Sequence, residues 1–252
     1  MIKVALSGCN GSMGQVVVRT AERYDNIKIV AGYDIDTTQR NNFRVYNDLD
    51  QCKEDIDVII DFSHPSALER LLAFALKRKI PVVIATTGLP REQKLSLEAA
   101  SMQIPVFFSA NMSLGINLLV DLVKQAAAVL SDTFDIEIIE KHHNRKIDAP
   151  SGTALLIADA INEVLSNKFQ YVYDRHASRK RRSKNEIGIH AVRGGTIAGE
   201  HTVIFAGNDE IIEINHSARS RDIFAEGALK AAAFIYGKSP GLYNMNDMIK
   251  GI

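Results

Sequence analysis

The chain has 252 residues, 46% of them hydrophobic and 24% charged, a composition typical of globular proteins rather than of disordered, collagenous or coiled-coil chains. Its 30 basic and 30 acidic side chains give a formal net charge of zero at pH 7. No overall field therefore attracts nucleic acid or a membrane surface, and we expect neither as a partner.

In the first half, apolar runs of strand length alternate with segments of helical period. The predicted strands are Ile2 to Ser7, Ile27 to Tyr33, Val58 to Phe62, Val82 to Thr86 and Val106 to Ser109. Pro65 can occupy the first turn of a helix that runs over residues 67–79 and ends in cations, which favour a helix C-terminus. This alternation predicts an α/β domain in which β-α-β units build a parallel sheet.

In the second half, two predicted helices flank a strand, and three further strand-like runs follow. The helices span residues 114–130 and 153–165, and the strand spans residues 135–140. The further runs span residues 187–194, 200–207 and 210–218. Because short turns separate these runs, we expect an antiparallel or mixed sheet in a second domain of the α+β class. A last helix over residues 224–237 follows Asp222, which can cap it.

The length of the apolar runs and the number of cysteines indicate the compartment in which the protein works. No uninterrupted apolar run approaches the ~20 residues that a membrane span requires. Cys9 and Cys52 are too few for a disulfide framework or a four-thiolate zinc site, so we expect reduced thiols and a cytoplasmic protein. The one run of basic charge, residues 175–184, is typical of a solvated loop, with a functional basic patch as the alternative.

The first predicted strand runs directly into a glycine-rich turn, GCNGSMG, in which Gly8, Gly11 and Gly14 are spaced three residues apart. Such glycines allow a tight turn and let backbone N–H groups approach a pyrophosphate at the start of a helix. The first interval is one residue longer than in the commonest dinucleotide fingerprint, and an ordinary glycine turn is the alternative. The position directly after a strand favours a nucleotide site.

Twenty residues after Gly14, Asp34 follows the second predicted strand, where a carboxylate can accept hydrogen bonds from the hydroxyls of an adenosine ribose. The next residue, Ile35, cannot pair with a 2′-phosphate, although Arg40 or Lys3 could reach one. This pattern favours NADH over NADPH. The alternative is that Asp34 only ends the strand.

Small polar residues follow the later predicted strands. The three segments are DFSHP at Asp61 to Pro65, ATTG at Ala85 to Gly88 and SANMS at Ser109 to Ser113. In a doubly wound sheet, ligands lie outside the carboxyl ends of the strands, so these loops could line a flat nicotinamide. The hydroxyls of Thr86 and Thr87 could then bond its carboxamide. Taken singly, each segment also fits a capped loop before a helix.

The segment that carries most of the predicted chemistry is EKHHNRKIDAPSGTA, Glu140 to Ala154. His142 and His143 are adjacent and would face opposite sides of a strand, so their roles should differ. Lys146 supplies a cation, and the first N–H groups of the following helix, at Gly152 and Thr153, can bind an anion. A histidine can donate a proton near neutral pH, as hydride transfer to a C=C or C=N bond requires.

The same residues have plainer interpretations. The adjacent histidines could be surface residues or metal ligands, but the sequence has no HExxH motif and no thiolate pair, so we expect no metal. Lys146 could be a solvated charge.

The chain resembles the dihydrodipicolinate reductase family, in the family's order and over nearly its whole length. The segments that carry the resemblance are GCNGSMG, DFS, ATTG, SANMS, HHNRKIDAPSGTA and RGGTIAGEHTVIFAG. The resemblance implies a Rossmann-type, doubly wound dinucleotide-binding domain over residues 1–112, completed by a C-terminal helical segment over residues 223–252. Residues 113–222 would form the substrate-binding and oligomerisation domain, built on a mixed sheet that assembles a homotetramer.

The resemblance also implies roles for single residues. Those that would hold the pyrophosphate are Gly8, Cys9, Asn10, Gly11, Ser12 and Met13, and Asp34 would hold the ribose. Those that would line the nicotinamide pocket are Ala85, Thr86, Thr87, Ser109, Ala110, Asn111 and Met112. His142 would be the proton donor and Lys146 the second acid or anion partner. The groups that would grip the substrate are His143, Gly152 and Thr153.

The implied reaction is the NADH- or NADPH-dependent reduction of 4-hydroxy-tetrahydrodipicolinate, a small dicarboxylate, to tetrahydrodipicolinate on the diaminopimelate route to lysine. The chain departs from the family at Ala85, where many members have glycine, and at Ile35, where some have arginine. The second departure puts NADPH use in doubt. Two alternatives remain open: another Rossmann amino-acid dehydrogenase, such as one acting on aspartate, or a protein that senses NAD without turnover.

Overall fold

The structure is a computed structural model that describes residues 1–38, 40–177 and 179–251. Its contacts divide the chain into two compact units. The first contains Met1–Leu114 and the residues from Arg221 to the end of the described chain, and the second contains Gly115–Ser220. Among the described residues, no helix combines the length and the apolar character that crossing a membrane requires.

Helices and strands alternate through most of the chain. The first half contains β1 (Ile2–Ser7), α1 (Ser12–Ala21), β2 (Ile27–Tyr33), β3 (Arg44–Tyr46), β4 (Val58–Asp61), α2 (Leu68–Arg78), β5 (Val82–Ile84), α3 (Arg91–Ser101), β6 (Pro105–Phe108) and α4 (Leu114–Leu130). There follow β7 (Asp135–His142), α5 (Gly152–Val164), β8 (Gln170–Val172), β9 (Glu186–Arg193), β10 (Gly199–Ala206) and β11 (Ile211–Ala218). The chain ends with α6 (Asp222–Ile235), β12 (Gly241–Tyr243) and α7 (Met245–Lys250).

A parallel seven-stranded sheet forms the centre of the first unit, in the order β12-β6-β5-β4-β1-β2-β3. The chain runs outward from β1 through β2 to β3 and then returns to place β4 on the other side of β1. This reversal is the topological switch point of a doubly wound sheet, where nucleotide ligands bind beyond the carboxyl ends of the strands. The predicted α/β fold is confirmed.

Both faces of this sheet are covered by helices. On one face, α1 and α6 pack against Val4 and Leu6 of β1, and on the other, α2 and α3 pack against Ile59 of β4 and Val82 of β5. Burial on both faces explains why these strands are almost continuously apolar in the sequence.

The second unit is built on a five-stranded sheet in the order β11-β10-β7-β9-β8. Its central strand, β7, pairs antiparallel with β10 and parallel with β9, so the sheet is mixed, as predicted. Helices α4 and α5 cover one face with apolar side chains that include Val123 and Ile157. Alternate residues of β7 point to that covered face, and the row ends in two polar residues, Glu140 and His142.

Some predicted elements differ from the structure. The predicted strands ending at Phe62, Thr86 and Ser109 stop earlier, because the chain leaves the sheet to form loops. The three late strand-like runs do not lie side by side, since β7 lies between β9 and β10. Sequence patterns also gave no indication of the short strands β3, β8 and β12 or of helices α3 and α7.

Candidate active site

The glycine-rich turn after β1 leads directly into α1. Gly11 is the residue that precedes the helix and, having no side chain, leaves the N–H groups of the first turn without a side-chain cap. A Cβ atom at Gly14 would lie 2.1 Å from the carbonyl oxygen of Gly8, so only glycine allows this close approach. The turn thus has the features of an anion-binding helix start, and Gly8, Gly11, Ser12 and Met13 all lie in it.

Asn10 connects the glycine-rich turn to the loop after β2. Its backbone N–H donates to Asp34 Oδ2 at 2.9 Å, and its side-chain amide donates to the carbonyl oxygens of Asp36 and Thr38 at 2.6 and 3.0 Å. The other oxygen of Asp34 accepts the N–H of Asp36 at 3.1 Å. Each carboxylate oxygen of Asp34 keeps a second lone pair that can accept from a ribose hydroxyl.

Cys9 is fully buried, so only its backbone is available to a ligand in the turn. Burial, together with the negative charge of Asp34, raises the pKa of its thiol to about 12. The thiol is therefore protonated at neutral pH and unreactive.

At the carboxyl ends of β4 and β5, a buried carboxylate connects two loops. Asp61 accepts hydrogen bonds from the hydroxyls of Thr86 and Ser63, both at 2.6 Å. The hydroxyl proton of Thr86 is thus engaged inside the protein, whereas the neighbouring Thr87 is exposed and Ala85 is buried. Of the two threonines expected to face a carboxamide, Thr87 has the accessible side chain.

The segment after β6 is held by its own hydrogen bonds. Ser109 Oγ donates to the carbonyl oxygen of Asn111 at 2.8 Å, and the side-chain oxygen of Asn111 accepts the N–H of Ser113 at 2.9 Å. Ala110 is exposed, and Met112 is buried in the apolar layer beneath α6. These residues follow β6 just as Ala85 to Thr87 follow its neighbour β5, at the same edge of the sheet.

In the second unit, a buried polar cluster lies at the end of β7. Glu140 is fully buried, and its carboxylate accepts from His142 Nδ1 at 2.6 Å and from the N–H of Ser151 at 2.9 Å. The guanidinium of Arg193 binds both carboxylate oxygens, at 2.7 and 2.8 Å. Burial by itself would raise the pKa of Glu140, but these hydrogen bonds outweigh it, and the pKa lies below its usual value. Glu140 is therefore an ionised carboxylate.

A second histidine packs on the ring of His142. The imidazole of His201 meets that ring edge to face, with ring centroids 5.2 Å apart. His201 Nε2 lies 3.2 Å from Ser151 Oγ, the atom that accepts the N–H of Ala154 at the start of α5. Burial, reinforced by the neighbouring imidazole of His142, lowers the pKa of His201 to about 4. His201 is neutral at physiological pH and can accept the hydroxyl proton of Ser151.

The predicted anion site beside this cluster already contains a carboxylate of the chain. Lys146 Nζ lies 2.8 Å from Asp148 Oδ1. Hydrogen bonds from Lys146 and from the N–H of Gly152 hold the pKa of Asp148 below its usual value. The N–H of Gly152, expected to face a ligand, is thus engaged within the chain. His143 and Thr153 lie on either side of this loop and are partly exposed.

Comparison with known proteins identifies both parts of the chain. Residues 2–112 match the family profile described as "Dihydrodipicolinate reductase, N-terminus", and residues 115–249 match "Dihydrodipicolinate reductase, C-terminus". The chain belongs to the dihydrodipicolinate reductase family.

Individual relatives match the chain over nearly its whole length. The chain is 59% identical to a 4-hydroxy-tetrahydrodipicolinate reductase of Caldanaerobacter subterraneus subsp. tengcongensis, over 99% of both chains. It is 49% identical to one from Clostridium tetani, over 99% of this chain and 97% of the other. A dipicolinate-bound dihydrodipicolinate reductase from Paenisporosarcina sp. TG-14 superimposes with a TM-score of 0.81 at 27% identity, covering 98% of this chain and 99% of that one.

Several residues at these sites were missed by sequence reasoning, His201 and Asp148 among them. Glu140 begins the segment predicted to carry the chemistry, and Arg193 begins one of the segments that carry the resemblance to the reductase family, but neither was given a role. Arg221 precedes α6 and donates to Ser12 Oγ at 3.3 Å, beside the start of α1. Only the packing of α6 beside α1 brings together two residues so distant in sequence.

Two arginines of the basic run connect it to the mixed sheet. Arg175 bonds Glu137 and Glu186 at 2.6 and 2.9 Å, and Arg182 bonds Glu137 and the carbonyl oxygen of Glu186 at 3.1 and 2.6 Å. Hydrogen bonds from Ser183 and Arg175 lower the pKa of Glu186 to about 2. Ser178, within the run, lies outside the described residues. In the part of the chain that the structure describes, no group of three or more potential ligands could hold a metal.

Proposed function

We propose that the chain catalyses the NAD(P)H-dependent reduction of 4-hydroxy-tetrahydrodipicolinate to tetrahydrodipicolinate, in the diaminopimelate route to lysine. The activity is the one named for relatives that match nearly its whole length, one of them at 59% identity. The observation that carries the proposal is the buried pair of Glu140 and His142 beside Lys146 and the first turn of α5, a proton donor next to an anion site.

The substrate is a dicarboxylate, and the groups around His142 suit one. The ammonium of Lys146 has three N–H donors, of which Asp148 takes one, so others remain for a substrate carboxylate. His143 and Thr153 complete the proposed grip, and the N–H of Gly152, which bonds Asp148 in this structure, joins it when a substrate carboxylate takes the place of Asp148. The relative described as dipicolinate-bound carries a ligand of this chemical class, a planar ring with two carboxylates.

The first unit has the features of a nucleotide site, judged from the close approach at Gly14 and the uncapped start of α1. We assign Gly8 to Met13 to the pyrophosphate, Asp34 to the ribose, and Ala85 to Thr87 with Ser109 to Met112 to the nicotinamide. The 4-hydroxyl of the substrate leaves as water, and the bound nucleotide would supply the hydride to the unsaturated cyclic imine that remains. His142 donates the proton from Nε2 to the reduced substrate, and Lys146 orients an adjacent carboxylate.

Acidic residues around the proposed ribose site favour NADH. Arg40, one cation that could meet a 2′-phosphate, is ion-paired with Asp36 at 2.8 Å. Lys3, the other, is paired with Asp55 at 2.6 Å, at the amino end of β1. Both cations are therefore ion-paired with acids of the chain, and the carboxylate of Asp34 would repel a 2′-phosphate.

A steady-state assay tests the function. Substrate is generated from pyruvate and aspartate semialdehyde by a condensing enzyme, and oxidation of NADH and of NADPH is followed separately. We expect turnover that depends on the generated substrate, with a higher kcat/KM for NADH. No oxidation of either nucleotide above the blank would reject the function, and a preference for NADPH would reject only the cofactor assignment.

Substitutions at the cluster test the assigned roles. His142→Ala should lower kcat by about 100-fold or more with little change in KM, because only the proton transfer is lost. Lys146→Ala should lower kcat and raise KM, because it removes a contact to the bound substrate. Unchanged kcat in His142→Ala would remove that residue from the chemistry. The matched control is His176→Ala, at an exposed histidine of the same unit.

A further inference from the structure

Glu140 differs from an ordinary buried acid in how many parts of the proposed site it contacts. Its carboxylate accepts from the imidazole of His142, from the backbone N–H of Ser151 and twice from the guanidinium of Arg193. Ser151 is the residue that caps α5. Arg193 also donates to the carbonyl oxygen of Asp148 at 2.6 Å, within the loop that carries Lys146.

The hydrogen bond to Glu140 decides which nitrogen of His142 exchanges protons. An ionised carboxylate only accepts, so His142 Nδ1 must carry a hydrogen in both charge states of the ring. The nitrogen that gains and loses a proton is then Nε2, which faces Gly199 of β10. A Cβ atom at Gly199 would lie 3.1 Å from Nε2, so the backbone of β10 lies close to the ring and restricts its rotation. His201, packed edge to face, limits the ring on another side.

We propose that Glu140 is a positioning residue of the reductase reaction, which keeps a proton on His142 Nδ1 so that Nε2 is the atom that serves the substrate. The inference rests on the proposed function, in which His142 supplies the proton. Through Arg193 and Ser151, the same carboxylate ties the orientation of the ring to the Lys146 loop and to the first turn of α5. One buried side chain therefore aligns the proton donor with the anion site.

The chain contains a matched control for this cluster. Glu137 lies on the same strand, β7, and likewise bonds a histidine and arginines: His190 at 2.8 Å, Arg175 at 2.6 Å and Arg182 at 3.1 Å. Because it is three residues from Glu140, Glu137 points to the opposite face of the sheet. Its removal breaks similar interactions in the same strand without touching His142.

The first experiment measures the tautomer directly in the free enzyme. The chain has seven histidines, which are labelled with 15N and resolved by NMR, and His142 is assigned by the signal missing in His142→Ala. We expect the Nδ1–H tautomer for neutral His142 in the wild type and in Glu137→Ala. In Glu140→Ala we expect a shift toward Nε2–H, the form that free histidine favours. Nε2–H in the wild type, or Nδ1–H retained in Glu140→Ala, would overturn the proposal.

The second experiment is a double-mutant cycle on kcat. Glu140→Ala should lower kcat by about 10- to 100-fold when His142 is present, but by no more than about twofold in a His142→Ala background. Glu137→Ala should change kcat by less than about twofold in either background. Equal losses from Glu140→Ala in both backgrounds would mean that Glu140 only supports the fold, and would overturn the proposal.

A conservative variant keeps the test valid if Glu140→Ala does not fold. Glu140→Gln keeps the shape and one oxygen that can accept from Nδ1, so it should retain more activity than the alanine variant. Glu140→Gln should lower kcat only in the background that contains His142, whereas Glu137→Gln should leave kcat almost unchanged in both backgrounds. Failure of the proposed function is seen separately, as no oxidation of either nucleotide by the wild type, and failure of the role assigned to His142 is seen as unchanged kcat in His142→Ala. In either case the proposal for Glu140 falls as well, whereas equal losses from Glu140→Ala in both backgrounds reject only the role of Glu140.

Discussion

His201 illustrates how burial sets the charge of a residue in the proposed site. Its pKa lies near 4 rather than at the usual 6.5, because burial and the adjacent His142 disfavour the charged ring. Unfolding exposes the imidazole, which then takes up a proton below about pH 6.5, while the folded ring stays neutral down to about pH 4. The neutral ring therefore stabilises the fold fully above pH 6.5, and this stabilisation is lost as the pH falls toward 4.

The expected effect is measurable as a pH-dependent free energy of unfolding. Between pH 7 and pH 4.5, wild-type protein should lose about 2 kcal/mol more stability than His201→Gln, whose amide can still accept from Ser151. Urea unfolding at the two pH values gives both numbers, with His176→Gln as the control at an exposed histidine. An equal loss in wild type and His201→Gln would contradict a neutral, buried His201.

Single residues differ in how far the sequence could indicate their positions. Spacing alone brings His142 and Lys146 to the same end of β7, and their assigned roles stay predictions. The partners of Glu140 could not all be found this way, because Arg193 comes from β9 and is 53 residues from Glu140 in sequence. Asp148 was missed for another reason: the pattern suggested an open anion site, and a carboxylate two residues from Lys146 fills part of it.

At the scale of elements, the basic run joins the loop before β9 to the central strand. Arg182 donates to Asp135 at 2.8 Å and to the carbonyl oxygens of Ile136 and Glu186 at 3.2 and 2.6 Å, and its side chain is 18% exposed. The sequence predicts a solvated loop, and the described residues of the run other than Arg182 are exposed. Arg182 differs because the acids that it meets lie on β7.

Removal of Arg182 should therefore cost stability rather than activity. Arg182→Ala leaves partly buried carbonyl and carboxylate oxygens without their donor, and we expect a loss of about 2 kcal/mol in the free energy of unfolding. Arg181→Ala, at the exposed neighbour, should lose less than about 0.5 kcal/mol. Chemical unfolding and kcat are measured for both. Equal stability of the two variants, or a selective fall in kcat for Arg182→Ala, would contradict this role.

The parallel sheet was predictable from the sequence. Its alternating strands and helices indicate a doubly wound sheet, and the bounds of β1 and β2 were predicted as found. The order of the mixed sheet was not, because β9 is separated from β10 by a short connection but pairs with β7 and β8. Short strands such as β3 carry too few residues for a period of two to stand out.

The open face of the mixed sheet is the surface through which we expect the homotetramer implied by the family resemblance to assemble. Helices α4 and α5 cover the other face, whereas Ile139 and Ile204 on the open face are partly exposed and Ile211 is 64% exposed. Sedimentation equilibrium should give four times the chain mass for the wild type, and smaller species for Ile204→Asp. Leu95→Asp, at an exposed leucine of the first unit, is the control. A monomeric wild type, or an unchanged mass in Ile204→Asp, would contradict this assembly.

We propose that the polar cluster at the end of β7 holds a dicarboxylate against the proton-donating nitrogen of His142. A crystal structure with NADH and pyridine-2,6-dicarboxylate is the decisive experiment. We predict one ligand carboxylate within hydrogen-bond distance of Lys146 Nζ and the first turn of α5, and His142 Nε2 within about 4 Å of the ligand. A ligand bound without contact to His142 and Lys146 would contradict the account.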